Sequence, residues 1–449
     1  MAYTNYCLHG LVLTLSEGRV VRDGLVVFSD ERGVIEAIDR WERRGKYKCD
    51  MVLGDSYSII MPGLVNTHTH ISMSILQGLG EGLTGFDWLK VIWCYEGFLK
   101  PEHIYYSALL SIATMIENGI TTFSDHYFYE EEVARAVEKT GIRAVLAKVV
   151  IEYSDYAPKH SLENSVKFAE AYMGRANGRI TTMIGVHSLY SCSLDTVKKA
   201  VEVSESTGIR IHMHFSESMH ELEFIKRVYS ISPAQLAYKI GLLHTKPLLA
   251  HAAYLSDEDL NLLAETKPSI AYAPFTIMSW GQGVARVKDL VDGGVTVSLA
   301  TDGPVTDGDL DLFKQMKVAL AAQSSRYGEP IAIKPLKLVE MATRDAAAAL
   351  GLNGLIGQVK PGFKADLVLL KPSKSRVVGL FEDPYTAVVY GMSAGDVRSV
   401  FVDGKPLMID RRLLGVDLDE VYARVIAYRE ELINSASDVC KSFKKQTTL

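Results

Sequence analysis

Seven short apolar runs, of which TTFSDHYF (residues 121–128) and RAVLAKVVIEY (143–153) come first, decide the fold of this chain. The other five follow in order: ITTMIGVHS (180–188), IRIHMHFSES (209–218), PLLAHAAYL (247–255), SIAYAPF (269–275) and VTVSLATDG (295–303). Amphipathic segments such as LDTVKKAVEVSESTG lie between them. Buried apolar strands that alternate with helices are typical of a parallel sheet. Seven or eight such units over roughly 300 residues predict an α/β protein with a (β/α)8 TIM-like barrel.

A doubly wound parallel sheet is the alternative architecture for the same alternation of strands and helices. No glycine-rich phosphate-binding fingerprint follows the first strand of this region. Such a fingerprint marks the doubly wound sheets that bind dinucleotides. The sequence therefore favours the barrel.

The two ends of the chain share a different pattern, which predicts short strands joined by turns. LVLTL (11–15) and YSIIMPG (57–63) are β-branched runs near the N-terminus. PGFKADLVLLKP (361–372) and VRSVFVDGKPLM (397–408) repeat this texture near the C-terminus, with an Asp-Gly hairpin signal at 403 and 404. We therefore expect the two ends to build one small β-domain together.

These patterns divide the chain into three parts. We predict a small β-sandwich domain over 1–60 and 357–415, a barrel over 61–356 and a helical tail over 416–449. No repeat of 20 to 50 residues and no low-complexity segment interrupts this division.

Composition narrows the class of protein. The 449 residues carry 48 Lys plus Arg and 54 Asp plus Glu, a net charge of -6. No segment concentrates the basic residues into a stripe, so electrostatic binding of nucleic acid is not expected. No apolar run is long enough to span a membrane, and the N-terminus lacks the features of a signal peptide. These observations predict a soluble, cytoplasmic protein without a membrane partner.

Cysteine and amide counts bear on the cellular environment. The five cysteines are scattered and form no C-x-x-C motif, so reduced, mostly structural thiols are expected. Asparagine occurs 8 times and glutamine 7 times. Depletion of these thermolabile amides is a mark of hyperthermophile proteins, which predicts a thermophile source.

The 12 histidines are informative because of where they lie. His68 and His70 fall at the end of the apolar run in MPGLVNTHTHISM (61–73). Residues i and i+2 of a strand point to the same face, so both imidazoles can reach one metal ion. An isolated H-x-H of this kind can equally be two polar loop residues.

Three more predicted strands end in side chains that bind metals or protons. His212 and His214 are followed by Glu217, and His251 and Asp302 come after later strands. In a (β/α)8 barrel the carboxyl ends of the strands form the face on which active sites are built. Four strand ends would therefore direct imidazoles and carboxylates to one place. The residues alone do not separate His212 from His214 as a ligand.

The combined motifs resemble the amidohydrolase superfamily over nearly the whole chain. They are PGLVNTHTH (62–70), HFSE (214–217), AH (250–251), TDG (301–303) and PGFKADLVLL (361–370). GFDWL (85–89), VHSLYSCS (186–193) and LDLF (310–313) are most similar to the branch of methylthioadenosine/S-adenosylhomocysteine deaminases and triazine chlorohydrolases. The resemblance implies a metal-dependent enzyme that hydrolyses a C–N bond of a cyclic amidine, and relatives commonly form dimers or tetramers.

The resemblance also implies a ligand set for one divalent metal ion: His68, His70, His214 and Asp302. The H-x-x-E spacing of the family selects His214, which leaves His212 behind the ligands. Imidazoles with one carboxylate suit zinc, or alternatively ferrous iron, and the cysteines lie outside the motifs. Such an ion lowers the pKa of its bound water to about 7 and so supplies hydroxide at neutral pH.

Catalytic roles follow from the same resemblance. Glu217 would protonate a ring nitrogen of the heterocycle, and His251 with Asp302 would hold the water and pass its proton to the departing ammonia. The implied substrate is an adenine nucleoside: 5′-methylthioadenosine, adenosine or S-adenosylhomocysteine.

Substrate contacts can also be carried over. Glu96 matches the family residue that binds the ribose hydroxyls, His187 matches a histidine near the sugar, and Trp88 is expected to line the pocket. Lys148 stands where the family has an arginine for the homocysteine carboxylate. Lysine lacks the bidentate fork of arginine, which favours a neutral nucleoside.

Two segments depart from the family pattern. Tyr272 to Met278 replaces a histidine-asparagine-proline and serine-asparagine sequence, and Pro304 to Gly308 replaces a loop rich in serine and asparagine. These changes leave the ligand set intact and are expected to reshape the rim of the pocket.

Three alternative functions remain. The first is hydrolysis of another amino- or chloro-substituted heterocycle: guanine, a pterin or a triazine. The second is a catalytically silent barrel, since a fold does not guarantee activity. The third, hydrolysis of a cyclic amide, usually goes with two metals and a bridging lysine, and Lys148 is the one lysine near a strand end among these motifs.

Overall fold

The computed structural model describes residues 3–16, 19–155, 157–373, 375 and 382–446. Four strands lie at the N-terminal end: β1 (Asn5–Leu13), β2 (Val20–Ser29), β3 (Ile35–Arg40) and β4 (Met51–Pro62). β1 pairs with β2 in antiparallel and with β4 in parallel orientation. No helix in the described ranges combines the length and the apolar character that crossing a membrane requires.

The central part of the chain forms a parallel barrel. Its strands are β5 (Leu64–Thr69), β6 (Ile120–Tyr127), β7 (Arg143–Val150), β8 (Ile180–Thr182), β9 (Ile184–Val186), β10 (Ile211–Phe215), β11 (Leu248–His251), β12 (Ser269–Tyr272) and β13 (Thr296–Leu299). Neighbouring strands pair from β5 to β13, and β8 and β9 together form one interrupted barrel strand along β7. The backbone N–H of Asp302 donates to the carbonyl of His68 at 3.1 Å across the remaining gap. The predicted (β/α)8 architecture is confirmed.

Helices connect the barrel strands. They are α1 (Gly85–Glu96), α2 (Pro101–Glu117), α3 (Glu130–Thr140), α4 (Leu162–Tyr172), α5 (Arg175–Gly178), α6 (Leu194–Thr207), α7 (Met219–Tyr229), α8 (Pro233–Lys239), α9 (Asp257–Thr266), α10 (Pro274–Ser279), α11 (Val287–Asp292), α12 (Pro304–Asp307), α13 (Leu312–Tyr327), α14 (Pro335–Met341) and α15 (Arg344–Ala349). Short 3-10 helices cover Trp41–Lys46, Ile71–Leu76, Leu242–Thr245 and Ala394–Asp396, and Ala387–Gly391 is a π-helical turn.

Serine residues fix where four consecutive helices begin. The hydroxyls of Ser193, Ser218, Ser232 and Ser256 each accept a backbone N–H in the first turn of α6, α7, α8 and α9. A hydroxyl at this position satisfies one of the N–H groups that the helix leaves without a partner. Three of these helices, α6, α7 and α9, are the first after a barrel strand, so their caps lie close to the strand ends that carry the polar side chains.

The C-terminal strands complete the sheet begun by the N-terminal ones. They are β14 (Leu367–Leu370), β15 (Val397–Val402), β16 (Lys405–Ile409) and β17 (Arg412–Leu413), with the short helix α16 (Pro384–Thr386) between the first two. β14 pairs with β4 in an eight-stranded sheet of order β17-β16-β15-β14-β4-β1-β2-β3. The rings of Tyr6 and Phe401 lie 5.2 Å apart although three strand steps separate β1 from β15, so the sheet folds over itself. The two chain ends build one small β-domain, as predicted.

The domain bounds at 60, 357 and 416 stay a prediction. Two of them can be compared with the ends of observed elements. β4 runs on to Pro62 and α17 (Leu418–Gln446) is a helix of 29 residues. Part of the segment between β14 and α16 lies outside the described residues.

The terminal helix α17 packs against α1 and α2. A disulfide joins Cys94 in α1 to Cys440 in α17, with Cα atoms 5.6 Å apart. The guanidinium of Arg429 donates to the carbonyl of Gln77 at 2.7 Å. These contacts hold α17 against α1 and against the segment that precedes α1.

The expectation of reduced thiols is wrong for four of the five cysteines. A second disulfide joins Cys7 to Cys49, and Cys192 is free and buried. Cysteine spacing carries no signal for these pairs, because folding brings together residues 42 and 346 positions apart. Intracellular proteins of hyperthermophiles are a known exception to the rule that the cytosol keeps thiols reduced, so the disulfides agree with the amide depletion.

We expect the variant Cys440→Ser to lose about 2–4 kcal/mol of unfolding free energy, the usual contribution of a disulfide that closes a long loop. Denaturant unfolding under non-reducing conditions measures this loss. Thiol titration of the unfolded protein provides the control: one reactive thiol is expected in the wild type and two in the variant once Cys94 is released. Five thiols in the unreduced wild type would contradict both disulfides.

Candidate active site

Four side chains converge at the carboxyl end of the barrel. His68 lies in β5, His70 follows it, His214 lies in β10 and Asp302 follows β13. Oδ1 of Asp302 is 3.2 Å from Nε2 of His70 and 3.6 Å from Nε2 of His68, and Nε2 of His214 is 3.2 Å from Nε2 of His70. Ligand atoms of the three histidines all lie within 4.8 Å of one another, close enough to share one ion.

Backbone carbonyls orient two of these imidazoles. Nδ1 of His70 donates to the carbonyl of His126 at 2.7 Å, and Nδ1 of His214 donates to the carbonyl of His187 at 3.0 Å. A ring whose Nδ1 carries the proton has its lone pair on Nε2. Both Nε2 atoms therefore present a free lone pair to the centre of the cluster.

His212 supports His68 from below. Nε2 of His212 lies 2.8 Å from Nδ1 of His68, and its own Nδ1 is 3.3 Å from the hydroxyl of Ser124. With Nδ1 engaged, His68 has only Nε2 left to face the cluster, and that atom is buried without a hydrogen-bond partner in the described part of the chain. This arrangement answers the question that the sequence left open: His214 reaches the cluster and His212 lies behind it.

Burial sets the protonation states that a metal requires. It lowers the pKa of His68 to about 3 and that of His214 well below its usual value, so both rings are neutral. Burial acts to raise the pKa of Asp302, but the adjacent rings of His68 and His70 hold it well below its usual range. His70 differs, because the hydrogen bond and the charge of Asp302 outweigh burial and raise its pKa. Since a metal ligand must be deprotonated, this ring would give up its proton to a bound cation. Three imidazoles with one carboxylate form a donor set that suits a single divalent metal ion, zinc in the first place.

Two further groups flank the cluster. Nε2 of His251 lies 4.0 Å from Oε1 of Glu217. Burial, with repulsion from Glu221 and Asp302, raises the pKa of Glu217 to about 8, and burial lowers that of His251 to about 4. At neutral pH these directions leave Glu217 able to give a proton and His251 able to accept one.

The backbone at the cluster is strained. His251 has φ 78° and Asp302 has φ 64°, values that residues other than glycine seldom adopt. Such strain persists only where surrounding contacts enforce it, and it concentrates at functional sites. At both positions the chain turns sharply as it leaves a barrel strand.

The start of α7 holds Glu217 in place. Its backbone N–H donates to Oε2 of Glu221 at 2.8 Å, while Ser218 caps the helix by accepting the N–H of Glu221. The carboxyl of Glu217 is thereby left free to face the cavity, with its side chain 16% exposed.

A cavity opens over the cluster. Its remaining wall is mostly apolar and aromatic, formed by Met73, Trp88, Leu89, Ile92, Trp93, Tyr127, Phe128, Val149, Ile151, Tyr190, Trp280 and Val305. Helix α1 supplies five of the lining residues, including the predicted Trp88, whose ring lies 4.9 Å from that of Trp280. The cavity has the apolar and aromatic lining, with a few convergent polar groups, of a small-molecule site.

A second polar group lies in the cavity away from Glu217. Oε1 of Glu96 accepts a hydrogen bond from the hydroxyl of Tyr127 at 2.7 Å, and burial raises the pKa of Glu96 to about 7. His187 also lines the cavity, with Nδ1 2.8 Å from the hydroxyl of Ser191. The structure thus brings both predicted sugar-side residues into the same cavity as the cluster.

Lys148 does not line this cavity, which corrects its predicted place in the substrate site. Successive residues of a strand point to opposite faces, and Val149 faces the cavity. The ammonium of Lys148 instead lies 2.5 Å from Oε1 of Glu131 and near the ring of Phe168, between β7 and the helices outside the barrel. Among the described residues around the cavity there is no lysine or arginine.

The two departures from the family pattern differ in their relation to the cavity. Residues 272–278 themselves do not line the cavity, although Trp280, just beyond α10, does. In the second departure, Val305 and Thr306 line the cavity, and the hydroxyl of Thr306 donates to Oδ2 of Asp302 at 3.2 Å. This segment therefore supports the carboxylate of the cluster as well as shaping the rim.

Sequence reasoning missed three residues of the cavity. Tyr127 positions Glu96, Thr306 bonds Asp302, and His126 lies among the clustered histidines. His126 and Tyr127 occupy a strand end in TTFSDHYF, which is the signal that identified the other histidines. Thr306 carries no comparable signal, because its contact depends on the turn after Asp302.

We expect His212→Phe to lower the affinity for the metal by about 10–100-fold, the usual cost of losing a partner that orients a ligand. The variant removes the contact to Nδ1 of His68 and leaves all four proposed ligands in place. Competition with a fluorescent zinc chelator measures the affinity. Unchanged affinity would show that His212 only fills space. His212→Gln, whose side-chain oxygen can still accept a hydrogen bond from Nδ1 of His68, should retain more affinity than the phenylalanine variant.

Comparisons with known proteins agree with this geometry. Residues 59–407 match the model of the amidohydrolase family. A 5-methylthioadenosine/S-adenosylhomocysteine deaminase of Acetivibrio thermocellus is 36% identical over 394 residues, 87% of this chain and 90% of that protein. A 5′-deoxyadenosine deaminase of Methanosarcina acetivorans is 35% identical over 419 residues, 93% of this chain and 95% of that protein.

A solved structure shares the fold. An adenosine deaminase from Xanthomonas campestris with bound zinc superposes with a TM-score of 0.90 at 24% identity, covering 96% of this chain and 98% of the other. The barrel and the cluster at its carboxyl end define a metal-dependent hydrolase. More particularly, the chain belongs to the amidohydrolase family.

Proposed function

We propose that this protein deaminates an adenine nucleoside hydrolytically, with a neutral group at the 5′ position. One observation carries the proposal: a buried carboxyl with a raised pKa, Glu217, lies beside His251, and a second carboxyl, Glu96, lines the same cavity. A proton donor for a ring nitrogen and a carboxylate for sugar hydroxyls are the two groups that such a substrate needs. The two deaminase relatives support the same class of reaction.

The side chains divide the reaction between them. His68, His70, His214 and Asp302 would hold the metal, which supplies an activated water when bound. Glu217 gives its proton to the ring nitrogen beside the amine-bearing carbon, which makes that carbon electrophilic. Asp302 and His251 orient the water and carry its proton to the amine. Water and the nucleoside thus become ammonia and the inosine-type product.

The wall of the cavity determines the preferred 5′ group. Apolar and aromatic side chains such as Ile151, Phe128 and Tyr190 surround the space, and the nearest basic candidate, Lys148, is paired with Glu131. A zwitterionic homocysteine group placed here would lose its hydration without gaining a charged partner. We therefore expect 5′-methylthioadenosine, 5′-deoxyadenosine and adenosine to be preferred over S-adenosylhomocysteine.

Ammonia release at elevated temperature tests the proposal. Zinc-loaded enzyme receives each of the four nucleosides, and the change in purine absorbance is followed in parallel. We expect turnover of the three neutral nucleosides and at least about a tenfold lower kcat/KM for S-adenosylhomocysteine, since unpaired charges discriminate strongly. Equal turnover of S-adenosylhomocysteine would contradict the 5′ preference. No ammonia from any of them, with metal bound, would contradict the nucleoside and favour guanine, a pterin or a triazine.

Assembly and location belong to the same proposal. We expect a homodimer or homotetramer in the cytoplasm, acting on a small molecule without a nucleic-acid or membrane partner. Light scattering of the purified protein tests the assembly, and a monomer at micromolar concentration would contradict it.

A further inference from the structure

His126 lies among the histidines around the proposed metal ligands, and the proposed reaction gives it no role. It lies in β6, lines the cavity and is 1% exposed. Its ring centroid is 4.8 Å from that of His212 and 5.1 Å from that of His214. Its backbone carbonyl accepts a hydrogen bond from Nδ1 of His70, and this contact holds the end of β6 against the proposed metal ligands.

Both ring nitrogens of His126 are buried without a hydrogen-bond partner among the described residues. Two histidines near it in the barrel share this property: His68 at Nε2 and His251 at both nitrogens. Those atoms have functions in the proposed reaction, as a metal ligand and as a proton carrier. Buried polar atoms that lack partners are costly, and most are paired in native proteins. The unpaired nitrogens of His126 therefore indicate a ligand that is absent from the free protein.

The position of His126 indicates which part of a nucleoside it would meet. The amine and the protonated ring nitrogen must face Asp302, His251 and Glu217, which lie at the ends of β13, β11 and β10. The rest of the nucleoside then extends toward the other side of the barrel. His126 at the end of β6 and His187 after β9 lie there, with ring centroids 6.4 Å apart.

We propose that His126 is a specificity-determining residue that hydrogen-bonds a hydroxyl of the nucleoside sugar. This inference rests on the proposed function and extends it to one substrate group. A neutral imidazole offers one donor and one acceptor, and a hydroxyl offers the same pair. The ring nitrogens of adenine that remain free could only accept.

The test pairs changes in the enzyme with changes in the substrate. His126→Met fills a similar volume and removes both ring nitrogens. The values of kcat/KM are compared for adenosine, 2′-deoxyadenosine, 3′-deoxyadenosine and 5′-deoxyadenosine. We expect the variant to lose about 10–100-fold on adenosine, as for a lost buried hydrogen bond to substrate. On the analogue that lacks the bonded hydroxyl the loss should be under about threefold, because that bond is already missing.

Two further variants locate the bond on the ring. Asparagine at 126 can place an amide near the position of Nδ1, and glutamine can place one near Nε2. The proposal is supported if His126→Asn or His126→Gln recovers activity on adenosine but not on the analogue that lacks the bonded hydroxyl. The variant that recovers activity identifies which ring nitrogen of His126 makes the bond. Zinc content and melting temperature are measured on every variant.

A uniform loss on all four nucleosides would overturn the proposal, since it would assign His126 to packing or to support of the metal ligands. Unchanged kinetics in His126→Met would overturn it as well. A failure of the proposed function gives a distinct result, because the wild-type enzyme would then release no ammonia from any nucleoside. That result would also overturn the sugar contact.

Discussion

Replacing Glu217 with glutamine should leave the metal bound and reduce turnover of the nucleoside by about 10²–10⁴-fold, the range that general acid–base catalysis contributes. Glutamine has nearly the same shape but cannot transfer a proton to the ring nitrogen. The bond from the backbone of residue 217 to Glu221 does not involve the altered side chain and should persist. Steady-state kcat and metal content, measured on the same preparation, test this expectation.

Helix α7 offers a matched control. Glu223 lies in α7 and is exposed. Glu223→Gln therefore makes the same chemical change at a residue that does not line the cavity. Its kcat should equal that of the wild type. Unaltered turnover in Glu217→Gln would remove Glu217 from the mechanism, whereas loss of metal in that variant would show that the carboxyl acts on the ligand cluster instead.

The variant His68→Ala should lose the metal almost completely and with it all turnover. His68 is fully buried, and its Nε2 faces the cluster without another partner in the described part of the chain. Losing a residue that only orients a ligand costs about 10–100-fold in affinity, so losing the ligand itself should cost more than about 100-fold. Metal content after dialysis, with kcat before and after zinc is added back, measures the effect.

Substitution of an exposed histidine separates this effect from a general loss of imidazole. His244 lies in a 3-10 helix on the surface, and His244→Ala should keep both metal and activity. Circular dichroism shows whether His68→Ala is folded, since alanine leaves a cavity in the barrel. Full metal occupancy in a folded His68→Ala protein would contradict the ligand assignment.

Hydrophobic patterning predicted the barrel because each parallel strand is buried on both faces. Each strand is therefore a nearly continuous apolar run that can be recognised without knowing its neighbours. The same holds for the clustered side chains, since the carboxyl ends of all barrel strands share one face. His212 and His214 show the limit of this reasoning. Both point into the barrel, and only the stagger of β10 against β5 decides which one lies level with the ligands and which one lies beneath His68.

Pairings between distant elements were not predictable from single segments. The position of Lys148 in a strand was clear, but its orientation followed only from Val149 facing the cavity and Glu131 meeting the ammonium outside the barrel. The partner of Cys94 is likewise fixed by the packing of α17 on α1. In both cases the decisive contact joins elements whose relative placement no local pattern encodes.

The sheet shared by the two chain ends has a consequence for protein synthesis. β4 leaves the ribosome early, whereas its partner β14 is translated some 300 residues later. Until then the edge of β4 exposes unpaired N–H and C=O groups, which invite pairing with strands of other nascent chains. Premature termination before residue 367 would release a polypeptide with this edge still open. Nascent chains of this protein therefore expose an unpaired strand edge for most of elongation. A chaperone that shields this edge would act during translation rather than after release.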